Sequence, residues 1–161
     1  LAATYQWFEI PPYHGNTIKR ISGKAKGFFS DTGFASSLHQ ISSPKALAMN
    51  PMLGSLFETW VVSYIRRLFT QLPIPPKMYH WRTSGGAEID LILELDDCLF
   101  PIEVKCKTNL TGNDSRGFRA FRETYPKKRI MPGLIIYAGT TPYRLNEMTT
   151  ALPWNYESEE R

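Results

Sequence analysis

Three strand-like runs follow one another with little between them: Met78 to Arg82, Glu88 to Leu95 and Leu99 to Cys106, separated by Ser84-Gly85-Gly86 and by Asp96-Asp97. Short polar or glycine-containing breaks of this kind suit antiparallel hairpins, so the chain is predicted to build one sheet around them. The second and third runs also carry charge where charge is costly. Ala87-Glu88-Ile89-Asp90-Leu91-Ile92-Leu93 and Pro101-Ile102-Glu103-Val104-Lys105 set carboxylates and an amine among apolar neighbours. An ionised side chain inside a buried strand demands a partner or a metal ion.

Upstream, Leu56, Phe57, Trp60, Val61, Tyr64, Ile65 and Leu68 recur at three- and four-residue steps, which predicts an amphipathic helix from Gly54 to about Gln71. Pro73, Pro75 and Pro76 stop it, because proline lacks the amide donor and clashes with the preceding turn. Gly27 to Asp31 reads as a short strand, and Thr32 to Ile41 as a short helix with Asp31 near its N-cap. Ser42 to Pro51 reads as a loop. Downstream, Phe118, Phe121 and Tyr125 mark one face of a helix over Ser115 to Tyr125. Leu134 to Ala138 is a continuous apolar strand of the sort covered on both sheet faces. An edge strand is expected near Tyr143 to Leu145. The predicted order is helix, three strands, helix, strand, an α/β (α+β) fold with a mixed sheet.

The 161 residues, 42% of them hydrophobic, suffice for one core without staples. Residues 1–27, punctuated by Pro11-Pro12, Gly15-Asn16, Gly23 and Gly27, read as an irregular linker or the end of an upstream module, with only Ile18 and Ile21 hinting at a buried turn. Residues 28–154 form the domain and 155–161 a polar tail. No apolar run approaches the roughly eighteen residues of a membrane span, and no signal-like segment opens the sequence, so the expected setting is cytoplasmic, within a longer protein and away from the membrane. Cys98 and Cys106 are the only cysteines, which excludes a disulfide framework and a cysteine-based zinc site. The formal net charge is +4, with acid-free basic clusters at Lys19, Arg20, Lys24 and Lys26, at Arg116, Arg119 and Arg122, and at Lys127 to Arg129. Such clusters suit phosphate contact and suit a solvated surface equally.

On a strand, Glu103 and Lys105 share one face while Ile102 and Val104 take the other; Glu88 and Asp90 likewise share a face. A hairpin folded at about residue 97 sets Asp90 opposite Glu103 or its neighbour. Facing carboxylates repel, and a divalent cation between them removes the repulsion. Hard oxygen ligands suit Mg²⁺ or Mn²⁺. Taken alone, the same residues are satisfied by a same-face ion pair of Glu103 with Lys105, with Asp90 capping a strand end. Glu88 reads as a ligand, a neighbour of the ligands or a solvent-facing group. Trp81 and Arg82 offer a ring and a guanidinium beside the site, or pack in the core and pair with an acid. His14, His39 and His80 show no metal-ligand spacing.

The constellation resembles the PD-(D/E)XK nuclease superfamily, whose core is a restriction-endonuclease-like αβββαβ unit. Asp90 matches its lone acid, twelve residues intervene, and Glu103-Val104-Lys105 matches its Glu-x-Lys; Glu58, in Gly54-Ser55-Leu56-Phe57-Glu58, matches the helical glutamate that some members add. Ile89 stands where that family's proline often does. More narrowly, Pro12-Tyr13, Asn16, Lys19-Arg20, Gly27 to Gly33, Gly54 to Glu58, Trp81-Arg82-Thr83, Gly86 to Asp90 and Pro101 to Lys105 resemble the C-terminal domain of prokaryotic AAA+-type P-loop ATPases. The resemblance implies a catalytic set of Asp90, Glu103, Lys105 and Glu58, with Asp90, Glu103 and Glu58 on the metal and Mg²⁺ or Mn²⁺ as cofactor. It implies DNA and an N-terminal ATPase module as partners, and makes residues 1–27 a linker or the end of an upstream winged-helix module. The chain itself lacks Walker spacing, since Gly15 to Lys24 is too irregular and Ala25 stands where Ser or Thr is needed. The expected function is hydrolysis or binding of DNA phosphodiesters. The alternative is an inactive nuclease-fold module that grips nucleic acid or docks on and regulates the ATPase.

Overall fold

Helix α3, Leu53–Phe69, sets the architecture, and its buried residues Leu56, Val61, Val62, Ser63 and Ile65 form the stripe that the periodicity predicts. In the computed structural model, which describes residues 4–15 and 24–156, two shorter helices precede it. Helix α1, Thr32–Leu38, is capped by Asp31, whose carboxylate accepts from the Gly33 and Phe34 amides at 2.6 and 3.3 Å. The stretch read as a loop over Ser42 to Pro51 holds a five-residue helix α2, Pro44–Ala48, with Ser43 capping the Ala46 amide at 3.2 Å. Proline in the first turn behind a serine cap is a helix start signal in its own right.

Among the described residues the central sheet has seven strands. Strands β3 (Lys77–Arg82), β4 (Glu88–Leu95) and β5 (Cys98–Lys105) form the expected antiparallel meander. The tight β4–β5 turn places Asp96 and Asp97 at φ 48° and 60°, the left-handed values that a two-residue hairpin requires and that aspartate tolerates better than most residues. A 3₁₀ turn at Gly112–Ser115 and helix α4, Arg116–Thr124, then cross over to β7 (Gly133–Tyr137), which lies parallel to β5. Short β6 (Arg129–Ile130) pairs with the beginning of β5. Beyond β7 the order is β9 (Thr149–Pro153), parallel to β7, then β8 (Tyr143–Asn146) at the edge. The edge strand is the expected one, whereas β9 is absent from the sequence reading. The order α3, β3, β4, β5, α4, β7 matches the predicted succession.

Each face of the sheet has its own core. On one face α4 buries Phe118 and Phe121 against Tyr79, Trp81, Ile89, Ile92, Leu99 and Ile135. On the other, Val61, Val62 and Ile65 of α3 meet Leu91, Leu93, Ile102 and Val104. Ile89 and Leu91 fall on opposite faces because β4 bulges. Tyr79 pairs with Ile92 and Trp81 with Ile89, so Asp90 and Leu91 together stand opposite His80.

The N-terminal segment corrects the reading of residues 1–27 as irregular. Strand β1 (Trp7–Ile10) forms an antiparallel ribbon with β2 (Lys26–Phe29), and the Ser63 hydroxyl on α3 donates to Phe29 O at 2.9 Å. The chain then runs along the edge of β3, where His80 N donates to Pro11 O at 3.1 Å and Tyr13 N donates to His80 O at 2.6 Å. Ile10 is buried in the α3-side core and Tyr13 in the α4-side core. Ile18, Ile21, Lys19, Arg20 and Glu157 to Arg161 lie outside the described residues. No described helix is long and apolar enough to cross a membrane.

Helix α4 approaches β4 so closely that a Cβ on Gly117 would lie 2.1 Å from the Glu88 carbonyl oxygen. Backbone cannot yield as a side-chain tip can. Gly117→Ala is expected to cost roughly 1–3 kcal/mol in urea denaturation, the range of an overpacked core. Gly54→Ala in α3, where no atom lies within 4 Å of the added carbon, is expected to be neutral or stabilising by up to about 1 kcal/mol. Equal effects of the two substitutions would contradict the close approach.

Candidate metal centre

The β4–β5 ladder ends at Leu91 paired with Ile102, and the next residues are Asp90 and Glu103. There the Asp90 carboxylate takes over from the backbone: Oδ2 accepts from Val104 N at 3.0 Å. Its other oxygen, Oδ1, accepts from Lys26 Nζ at 3.1 Å. Asp90 is only 6% exposed, so the bond to Val104 N is buried, while the one to Lys26 lies at the edge of a cleft. Glu103, 5% exposed, accepts from Lys105 Nζ at 2.5 Å through Oε1, while its Oε2 is buried without a hydrogen-bond donor among the described residues. Glu88, half exposed at the start of β4, has Arg82 Nε 3.8 Å away. One carboxylate oxygen from each of Glu88, Asp90 and Glu103 lies within 4.8 Å of the others.

Glu58, in the second turn of α3, reaches the same neighbourhood from the opposite face and is ion-paired with Lys26. It stands outside the group of three. Among the described residues the four carboxylates are thus met by two ammonium groups, Lys26 and Lys105, with Arg82 at the rim. The excess of negative charge appears in the proton affinities. Burial, followed by repulsion from Asp90, pushes the Glu103 carboxyl up to about 8, against the pull of Lys105. The same two causes push Glu58 up to about 7, against the pull of Lys26. Burial works against both ammonium groups, yet the carboxylates outweigh it: Lys26 is raised by Asp90 and Glu58, Lys105 mainly by Glu103. A buried carboxylate oxygen without a donor, among three converging acids with surplus negative charge, is a donor set that fits a hard divalent cation.

Two clefts meet at Glu88. The larger, about 490 Å³, runs from Asp90 past Lys24, Lys26, His80, His14 and Arg82. The smaller, about 180 Å³, opens over Glu103, Lys105, Asp114 and Arg116. Trp81 resolves to the core: it is buried and meets the Phe121 ring edge-on at 5.1 Å. Arg82 is largely exposed beside Glu88. His80 Nε2 lies 3.3 Å from Lys24 O, and burial holds its ring below the usual histidine range. The thiols are free, Cys98 buried and Cys106 half-buried.

Asp90, Glu103, Lys105 and Glu58 are therefore brought together, and Glu88 joins them. Lys26 went unrecognised as a site residue because it stood in a basic cluster within supposed linker. The available signal was its position directly before the apolar Gly27-Phe28-Phe29 strand. The parity that put Glu88 and Asp90 on one face is interrupted one step later, where the bulge adds a residue at Asp90 and Leu91.

The fold and this cluster define a mixed α/β domain with an acidic centre where two antiparallel strands part. The model of a domain of unknown function, DUF4143, matches residues 53–156, and the chain belongs to that family. It is 30% identical over 145 residues to the uncharacterized proteins Rv2008c of Mycobacterium tuberculosis and Mb2031c of Mycobacterium bovis. These matches cover 90% of this chain and 31% of each relative, so the chain spans about a third of their length. No solved structure matches it.

The raised acid at Glu103 makes stability depend on pH in a defined direction. Its folded value of about 8 lies above the ordinary 4.5, so its contribution is fully present below pH 4.5 and is lost as pH rises through about 8. Without divalent cation, Glu103→Gln should therefore gain stability relative to the unsubstituted protein as pH rises from 5 to 8. Urea midpoints at both pH values check this. A constant difference would contradict the buried, crowded carboxyl.

Proposed function

We propose that this domain is a metal-dependent nuclease-like domain of the PD-(D/E)XK type that hydrolyses DNA phosphodiesters as part of a larger, ATPase-containing protein. The observation that carries the reading is the convergence of Glu88, Asp90 and Glu103 within 4.8 Å, with the buried Glu103 Oε2 lacking a donor and Lys105 on the same carboxylate. Mg²⁺ or Mn²⁺ held by these oxygens would supply Lewis-acid polarisation of a phosphoryl oxygen and a more acidic water. The chain's own groups supply the rest. Asp90, tethered by Val104 N, and Glu103, buried beside it on β5, hold their carboxylates at the site before any ion arrives. Lys105 orients the attacking water or stabilises negative charge that develops on the phosphoryl group. Arg82, Lys24 and Arg116 line the adjoining clefts and suit phosphates on either side. The order α3–β3–β4–β5–α4–β7 supports the same reading, because it is the succession a restriction-endonuclease-like core requires.

Asp90→Asn and Glu103→Gln should each weaken Mn²⁺ binding by more than about tenfold, the loss that even outer partners of a metal can cause. Both should abolish Mg²⁺- or Mn²⁺-dependent cleavage of single-stranded, duplex or branched DNA. Lys105→Met should retain Mn²⁺ and lose on the order of 10²–10³ in rate. Calorimetric titration and gel assays on this chain and on the full-length protein decide the matter. Salt-dependent DNA binding indifferent to Mn²⁺, with no cleavage by either protein, would replace the enzyme with the inactive binding or ATPase-regulating module.

A further inference from the structure

We infer that Lys26 is a built-in cation that limits this centre to a single divalent ion, held by Glu88, Asp90 and Glu103; the inference rests on the metal-centre reading above. Lys26 is the first residue of β2, so its backbone belongs to the β1–β2 ribbon rather than to the central sheet. From there its side chain, 34% exposed, passes the Phe28 ring, with Nζ 5.7 Å from the centroid, and ends between two carboxylates of separate elements. One is Glu58 on α3, in direct ion pair; the other is Asp90 on β4, at 3.1 Å.

That position is where a second divalent ion bridged by Asp90 would have to sit. Two-ion centres hold their metals about 3.5–4 Å apart and share a carboxylate between them. Of the group of three, Asp90 is the member that pairs with Lys26 among the described residues. A protonated lysine has three donors and no lone pair, so it satisfies Glu58 and Asp90 without ligating metal. An ionised carboxylate has about four acceptor directions, so Asp90 can serve Val104 N, Lys26 and one ion together. The ammonium therefore need not leave when the first ion binds. Charge points the same way: with all four carboxylates ionised, Lys26, Lys105 and Arg82 leave one negative charge among the described residues, which one divalent ion already outweighs. Removing Lys26 uncovers a further negative charge and leaves Glu58 and Asp90 facing each other unscreened, and hard oxygen pairs of this kind take up Mg²⁺ or Mn²⁺.

The test is Mn²⁺ titration of the whole chain by calorimetry and electron paramagnetic resonance, with circular dichroism confirming the fold of each variant. The unsubstituted protein should bind one Mn²⁺. Lys26→Met should bind two, with the broadened resonance of a spin-coupled pair, and Lys26→Met combined with Glu58→Gln should return to one. Lys26→Arg, which keeps the cation, should stay at one. Glu58→Gln alone should leave the first binding constant within about threefold, since Glu58 is not a ligand while Lys26 stands before it. This arm holds even if the methionine variant fails to fold. Two ions in the unsubstituted protein, one ion at unchanged affinity in a folded Lys26→Met, or a tenfold loss in Glu58→Gln would each overturn the role of Lys26 and leave the metal centre standing. No Mn²⁺ in the unsubstituted protein would remove the centre itself, and with it anything for Lys26 to limit.

Discussion

At the end of the β4–β5 ladder, the Val104 amide donates to a side chain instead of a backbone carbonyl, and the rest of the centre depends on that exchange. Asp90 Oδ2 accepts this bond in a buried setting, where leaving either partner unmet costs about 1–3 kcal/mol. The bond holds the aspartate against β5 beside Glu103, although both carry like charge. It is available because β4 bulges at Asp90 and Leu91, a local change of register that redirects a side chain without disturbing Leu91, Leu93 and Leu95 in their pairing with β5. The acids are crowded by backbone geometry rather than by attraction, and the surrounding ammonium groups only partly relieve the crowding.

Both layers contribute to this position. Helix α3 brings Glu58 from one face of the sheet, while β5 turns Glu103 and Lys105 toward α4 on the other. The glycine at 117 lets α4 begin almost on the Glu88 carbonyl, where it forms a wall of the smaller cleft beside Glu103 and leaves Asp90 facing the larger one. The centre lies where the two clefts join, reachable from both faces near the opening of the β3–β4–β5 meander. The chemistry directly abuts both hydrophobic cores, because Ile89 and Leu91 flank Asp90, and Ile102 and Val104 flank Glu103.

Much of this was legible beforehand. The meander followed from short breaks between apolar runs, and Asp90 and Glu103 were paired by folding the hairpin at Asp96-Asp97. Helix α3 was visible in its stripe and in the prolines that end it. What stayed hidden has specific physical causes. Beside Asp90 the run Leu91-Ile92-Leu93 is apolar on both faces of the sheet, so an inserted residue leaves no break in alternation and the bulge cannot be seen. Strand β9, Thr149–Pro153, is short and ends in proline, and only its place beside β7 makes it a strand. The segment around Pro11-Pro12 looked irregular because proline removes a donor, yet the edge bonds there use the Pro11 carbonyl and the Tyr13 amide, so the missing Pro12 amide is not needed. Lys26 was hidden because its partners, Glu58 and Asp90, are distant in sequence and come together only in the folded chain.

The strap along β3 ties the halves of the molecule. Over four residues the chain passes from Ile10, inside the α3-side core, around the sheet edge to Tyr13, whose ring meets Tyr79, Phe121 and Tyr125 in the other core. Peeling either layer from the sheet must draw this buckle out of both. The two hydrophobic layers are thus coupled into one cooperative unit, and a tug on the β1–β2 ribbon reaches the larger cleft directly through Pro12, Tyr13 and His14 in its wall.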